Sequence, residues 1–222
     1  MGTGYKELFI EYLEAEDKDK CLDFALRRLS EGEFDIRELY EKIMAPALNQ
    51  IKICPAENVN WIWKEHVKTS IVRTIIECCY PYIMKEKKAI KSLGIKVLVF
   101  CPENELHEIG ARMITDFFIL NGYNAIFVGA NTPTEQIKAA VIYEKPRYVA
   151  ISVSNYYNMI SLKRAIEQIK ATANNTVSIL VGGIAFRGER NLAAQIGADA
   201  YLESYMDIRK LGEGDWKNEI GL

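Results

Sequence analysis

The chain has 222 residues, enough for one large domain or two modest ones with cores of their own. At 49% hydrophobic and 26% charged residues it reads as a folded globular protein, neither disordered nor membrane-embedded. The 28 basic and 30 acidic residues nearly cancel, and the densest basic run, Lys85 to Lys91, is short and reads as a solvated linker, so autonomous nucleic-acid binding is not expected.

From Tyr5 to about Met84 the apolar residues keep helical spacing. Leu8, Phe9, Tyr12 and Leu13 lie in the first stretch, Leu22, Ala25, Leu26 and Leu29 in the second, and Ile36, Leu39, Ile43 and Ala47 in the third. Gly32 closes the second helix, and Asp35 followed by Glu38 makes a capping-box start for the third. Pro46 is expected to kink the third helix without ending it, because apolar periodicity resumes at Leu48 and Ile51. Pro55 marks the turn before a fourth helix, predicted from about Val59 through Trp61, Ile62, Val67, Ile71, Ile75 and Cys78 toward Pro81. Short connections between amphipathic helices predict a four-helix bundle over residues 1–88.

Beyond the linker the period changes. Ile95 to Phe100 is a short continuous apolar run, followed by similar runs at Ala125 to Val128, Tyr148 to Val153, Val177 to Val181 and Ala198 to Leu202, with helix-length segments between them. Strands alternating with helices predict a parallel sheet covered on both faces. The expectation for residues 94–222 is therefore an open, doubly wound α/β sheet of five strands in flavodoxin-like order.

In such a sheet ligands sit beyond the carboxyl ends of the strands, so the loops after the apolar runs carry the chemistry. Three stand out: Glu105, His107 and Gly110 after the first strand, Ser152 and Ser154 leading into Asn155, Tyr156, Tyr157 and Asn158 after the third, and Gly182-Gly183 followed by Ile184 after the fourth. Taken singly each has a bland reading, a solvated loop histidine or a plain glycine turn. An acidic neighbour is, however, what a metal-bound imidazole needs to fix its tautomer. One imidazole cannot hold a bare ion that wants three or four protein ligands, so a metal at His107 would have to arrive in a cofactor supplying the rest.

The spacing joins the three loops. Gly110 and Ser152 are separated by 41 residues, and Ser154 and Gly182 by 27. Glu105-x-His107-x-x-Gly110, then Ser152-x-Ser154, then Gly182-Gly183 resembles the ordered motif D-x-H-x-x-G, S-x-L, G-G of the cobalamin-binding domain family, with Glu105 in place of the commoner aspartate and Ser154 in place of leucine. The resemblance implies cobalamin as cofactor, held base-off and His-on. His107 would be the lower axial cobalt ligand and Glu105 its modulator. Gly110 would let the following helix start close to the nucleotide tail, Ser152 would hydrogen-bond the displaced base, and Gly182 and Gly183 would let backbone approach the tail. The helical half resembles the four-helix cap of methionine synthase, corrinoid methyl carriers and light-sensing cobalamin-dependent repressors. Glu65-His66 in the fourth helix is similar to a pair near the upper ligand in the photoreceptors, with a solvated first-turn pair as the lesser reading. Those photoreceptors carry a tryptophan ten residues earlier, where this chain has Pro55.

Two functions follow from the resemblance. The expected one is a sensory or regulatory, light-responsive module, which Glu105 and Glu65-His66 favour and which would prefer an adenosyl over a methyl upper ligand. The other is a corrinoid methyl carrier that docks with methyltransferases. The chain opens on the cap-like helices, so no direct nucleic-acid binding is expected and either role needs a protein partner, a regulator or a methyltransferase; an oligomer is left open. Five cysteines without a C-x-x-C pair read as reduced core residues, and with no leader-like run and no apolar stretch near membrane-spanning length, the expected location is the cytoplasm.

Overall fold

A computed structural model describes residues 3–50 and 62–212. The chain forms two compact units, Met1–Glu86 and Lys87–Leu222.

In the first unit, α1 (Thr3–Glu14) is followed by α2 (Lys18–Glu31). The side chain of Asp17 caps the start of α2, and Gly32 closes it in the left-handed conformation at φ 73°. The next helix begins as α3 (Ile36–Glu38), where Asp35 and Glu38 make both hydrogen bonds of the capping box. It continues as a π-helical segment, Leu39–Met44, and resumes as α4 (Ala45–Gln50). Pro46 explains the widened turn: its ring would meet the carbonyl of Lys42 in an α-helix, and the chain responds by bonding the N–H of Ala45 to the carbonyl of Tyr40. Leu39, Tyr40, Ile43 and Met44 are fully buried by this arrangement.

The last helix of the unit, α5 (Ile62–Lys87), carries Pro81 inside it and does not stop there. An interior proline costs about 3 kcal/mol. Ile83, two residues further on, is fully buried, and burying such a side chain returns about 1.5–3 kcal/mol. The predicted start at Val59, together with Trp61 and Pro55, lies outside the described residues. Lys68 is buried on α5 because its ammonium meets Glu14 of α1 at 2.6 Å. The acidic end of this ion pair reaches solvent, so only one of its two groups is buried.

The second unit contains β1 (Lys96–Pro102), α6 (Ile109–Ile119), β2 (Asn124–Thr132), α7 (Thr134–Glu144), β3 (Tyr148–Ser152), α8 (Met159–Thr172), β4 (Ser178–Gly182), α9 (Arg190–Gln195), β5 (Ala200–Tyr201) and α10 (Tyr205–Gly212). All five strands are parallel, in the order β2-β1-β3-β4-β5. That order puts β1 and β3 at the centre and makes the switch point between them, where the chain reverses direction across the sheet. Val97 to Cys101 are buried on both faces, as their unbroken apolar run required. One side of the sheet packs Leu98, Phe100, Ile151 and Ile179 against Ile137 of α7 and Ile166 of α8. The edge strand β2 is longer than its four-residue apolar run, and β5 is shorter than the run around it.

A candidate corrinoid site at the carboxyl ends of β1, β3 and β4

Beyond β1 the chain turns sharply, with Asn104 at φ 67°, and the N–H of Glu105 donates to the carbonyl of Pro102 at 3.0 Å. The turn drives the Glu105 side chain inward, where it is wholly buried. One carboxylate oxygen, Oε1, accepts from the backbone N–H of His107 at 3.1 Å and lies 2.5 Å from Nδ1 of its ring. The other, Oε2, accepts from the N–H groups of Ser154 at 2.7 Å and Asn155 at 2.9 Å, across to the β3 loop. Burial pushes the carboxyl pKa up, but the bonds from the His107 ring and from the backbone of Asn155, Ser154 and His107 outweigh it and hold it below the usual carboxylate range. Glu105 is therefore an anion at neutral pH, and it ties together two loops about fifty residues apart in the chain.

The consequence falls on His107. With Glu105 ionised, Nδ1 carries the proton, so the lone pair of the neutral ring lies on Nε2, the opposite edge. The His107 side chain is 58% exposed while that of Glu105 is 1% exposed, so a buried carboxylate holds the Nδ1 edge of a largely exposed imidazole. This is the arrangement a metal-ligating histidine takes with its supporting carboxylate. Among the described residues no group of three or more His, Cys, Asp or Glu is placed to hold a bare metal ion, and the donor set suits a metal that brings its other ligands. Cys101 lies close behind, its thiol donating to the carbonyl of His107 at 3.6 Å. Burial, with the nearby charges of Glu105 and Glu108, pushes the Cys101 thiol up to about 12, so it stays protonated at neutral pH.

The other motif residues meet here too. Ser152 ends β3 in register with Gly182 of β4, and a methyl group added at Gly110, the second residue of α6, would lie 3.7 Å from the Ser152 hydroxyl. Gly110 is thus not demanded by the protein's own packing. Gly182 and Gly183 are. A side chain on Gly182 would approach the carbonyl of Leu202 to 2.7 Å, and one on Gly183, at φ 105°, would approach that of Val153 to 2.3 Å. The N–H of Val153 in turn donates to the carbonyl of Gly182, so the two glycines let the ends of β3, β4 and β5 cross closely.

Glu65 and His66 belong to the first unit, in the first turn of α5, where His66 Nδ1 lies 3.0 Å from Glu65 Oε2 and the imidazole is largely exposed. Residues that motif reading did not single out also shape the site: Cys101, Asn104 and Asn131. The signal for the asparagines was their tolerance of the left-handed conformation at sharp turns.

The family model for the B12 binding domain matches residues 95–207, more than half of the chain. The chain belongs to the B12-binding domain family and is thus a cobalamin-binding protein. The methanol–corrinoid protein of Methanosarcina barkeri is 24% identical over 117 residues, 53% of this chain and 44% of that protein, so the match spans less than half of that relative's length. The monomethylamine corrinoid protein of Methanosarcina barkeri has the same fold, with a TM-score of 0.77 at 16% identity, covering 95% of this chain and 98% of that one. A chain of the methanol:cobalamin methyltransferase complex from Methanosarcina barkeri gives a TM-score of 0.50 at 19% identity over 96% of this chain and 79% of that one. No helix among the described residues is long and apolar enough to cross a membrane.

Proposed function

We propose that this protein is a corrinoid methyl-group carrier that holds its cofactor base-off, with His107 as the lower axial ligand, and works with a methyltransferase partner. The observation that carries the reading is the buried Glu105 carboxylate holding the Nδ1 edge of an exposed imidazole, in a domain of the B12-binding family. The similarity to a methanol–corrinoid protein favours the carrier over the sensor. When bound, the corrinoid supplies a cobalt able to carry a methyl group between a donor and an acceptor. The protein's part is to orient and to hold a proton. Glu105 keeps that proton on Nδ1 of His107, which strengthens Nε2 as a donor, and Ser154 and Asn155 keep Glu105 ionised and fixed. Ser152 offers a hydroxyl beside Gly110 and Gly182 for the displaced nucleotide base. In this reading residues 94–222 are the corrinoid-binding domain, residues 1–88 a helical domain, and the protein acts in the cytoplasm.

The sensory, light-responsive alternative draws on Glu65 and His66, a polar pair able to hydrogen-bond an adenosyl group but not a methyl group. A competition assay separates the two. The carrier should bind methylcobalamin and adenosylcobalamin alike, with Glu65→Ala/His66→Ala changing neither affinity. A preference for adenosylcobalamin that the double variant abolishes, at about 0.5–1.5 kcal/mol per lost hydrogen bond, would overturn the carrier in favour of the sensor.

A further inference from the structure

The loop bearing Glu105 and His107 is also gripped from the sheet edge, by a residue outside the motif. Asn131 lies near the end of β2, where the pairing with β1 slips: Val99 faces Phe127, Phe100 faces Gly129 and Pro102 faces Thr132. Two residues of this bulged stretch have positive φ, Gly129 at 141° and Asn131 at 49°. A bulge bends a strand end and re-aims the groups it carries. Here it brings two groups of Asn131 onto the β1 loop. Its backbone N–H donates to the carbonyl of Glu105 at 2.9 Å, and its side-chain Oδ1 accepts from the N–H of Asn104 at 2.8 Å.

Glu105 is thereby held at every polar position. Its N–H is bonded to Pro102, its carbonyl to Asn131, and its carboxylate to His107, Ser154 and Asn155. The carboxylate can aim the imidazole only as well as its own backbone is fixed, and on the β2 side that fixing comes from Asn131. The position asks for two properties together: a left-handed backbone and an acceptor three bonds beyond Cα. Asparagine and aspartate offer both, glycine only the first, and most residues neither.

We propose that Asn131 is a positioning residue that sets the aim of His107 and so the ease with which the imidazole stays bound to a corrinoid cobalt. The inference rests on His107 being the lower ligand. Its test is the electron paramagnetic resonance spectrum of the protein loaded with cob(II)alamin, in which an axial nitrogen splits the cobalt lines. Asn131→Gly keeps the backbone conformation and the bond to the Glu105 carbonyl but removes the acceptor for Asn104. It should raise the unsplit, His-off share about threefold, the effect of one exposed hydrogen bond. Asn131→Asp keeps the acceptor and should restore the wild-type share, and the melting temperatures of the two variants report folding separately. A residue that serves stability alone would lower the melting temperature of Asn131→Gly with no change in the His-off share, and that result overturns the proposal. A wild-type spectrum without nitrogen splitting, identical to that of His107→Ala, would instead overturn the lower-ligand assignment and this inference with it.

Discussion

Glu105 is an anion with no exposed surface, and its replacement should be felt wherever it is ionised. Glu105→Gln keeps the shape but offers a single acceptor oxygen to the two sets of donors, the His107 side and the Ser154–Asn155 side. Losing charge-assisted bonds of this kind costs about 1.5–3 kcal/mol, or a fall in melting temperature of about 4–9 °C at neutral pH for a domain of this size. The pH dependence has a fixed sign. The folded-state pKa of Glu105 lies below its ordinary value, so its contribution is complete above that ordinary value, about 4.3, and is lost as pH falls through the folded one. The melting temperature of the wild type should therefore drop toward that of Glu105→Gln only as the pH falls below that ordinary value and through the lowered folded one. Parallel curves over that range would show that the carboxylate is not held by these bonds.

At the scale of elements, the two kinds of glycine in the motif separate by experiment. Gly183→Ala adds a methyl group against the Val153 carbonyl in a left-handed conformation, so the cofactor-free protein should melt lower by about 1–3 kcal/mol or more. Gly110→Ala adds one with ordinary clearance inside a helix, where alanine is favoured by up to about 1 kcal/mol, so stability should hold or rise. If Gly110 is kept small for the nucleotide tail, that variant should lose corrinoid affinity all the same, as calorimetry with hydroxocobalamin would show. Unchanged affinity would remove Gly110 from the site. The strands were legible in the sequence because a fully buried parallel strand needs an unbroken apolar run, as at Val97 to Cys101. The capping box at Asp35 and Glu38 was legible because it depends on residues three apart. The continuation of α5 through Pro81 was not, since burial of Ile83 decides it and burial is a property of the whole unit. Nor was the bulge that turns Asn131, which arises from strand register and leaves no local pattern.

For the whole molecule, motif order and spacing identified the cofactor, while the device that holds its expected ligand became visible only when residues 105, 131 and 154 met in space. The bonds from the Ser154 and Asn155 backbone to Glu105 use no side-chain chemistry and could not be read from residue types. The central claim is that this chain binds corrinoid through His107, and comparison of the loaded wild type with His107→Ala tests it most directly. The wild type should show the visible absorption of a base-off, His-on corrinoid and nitrogen splitting in its cob(II)alamin resonance. His107→Ala should retain some corrinoid through contacts to the tail while losing both signatures. A variant whose spectra match those of the wild type would contradict the account, because the cobalt would then have no bond to His107.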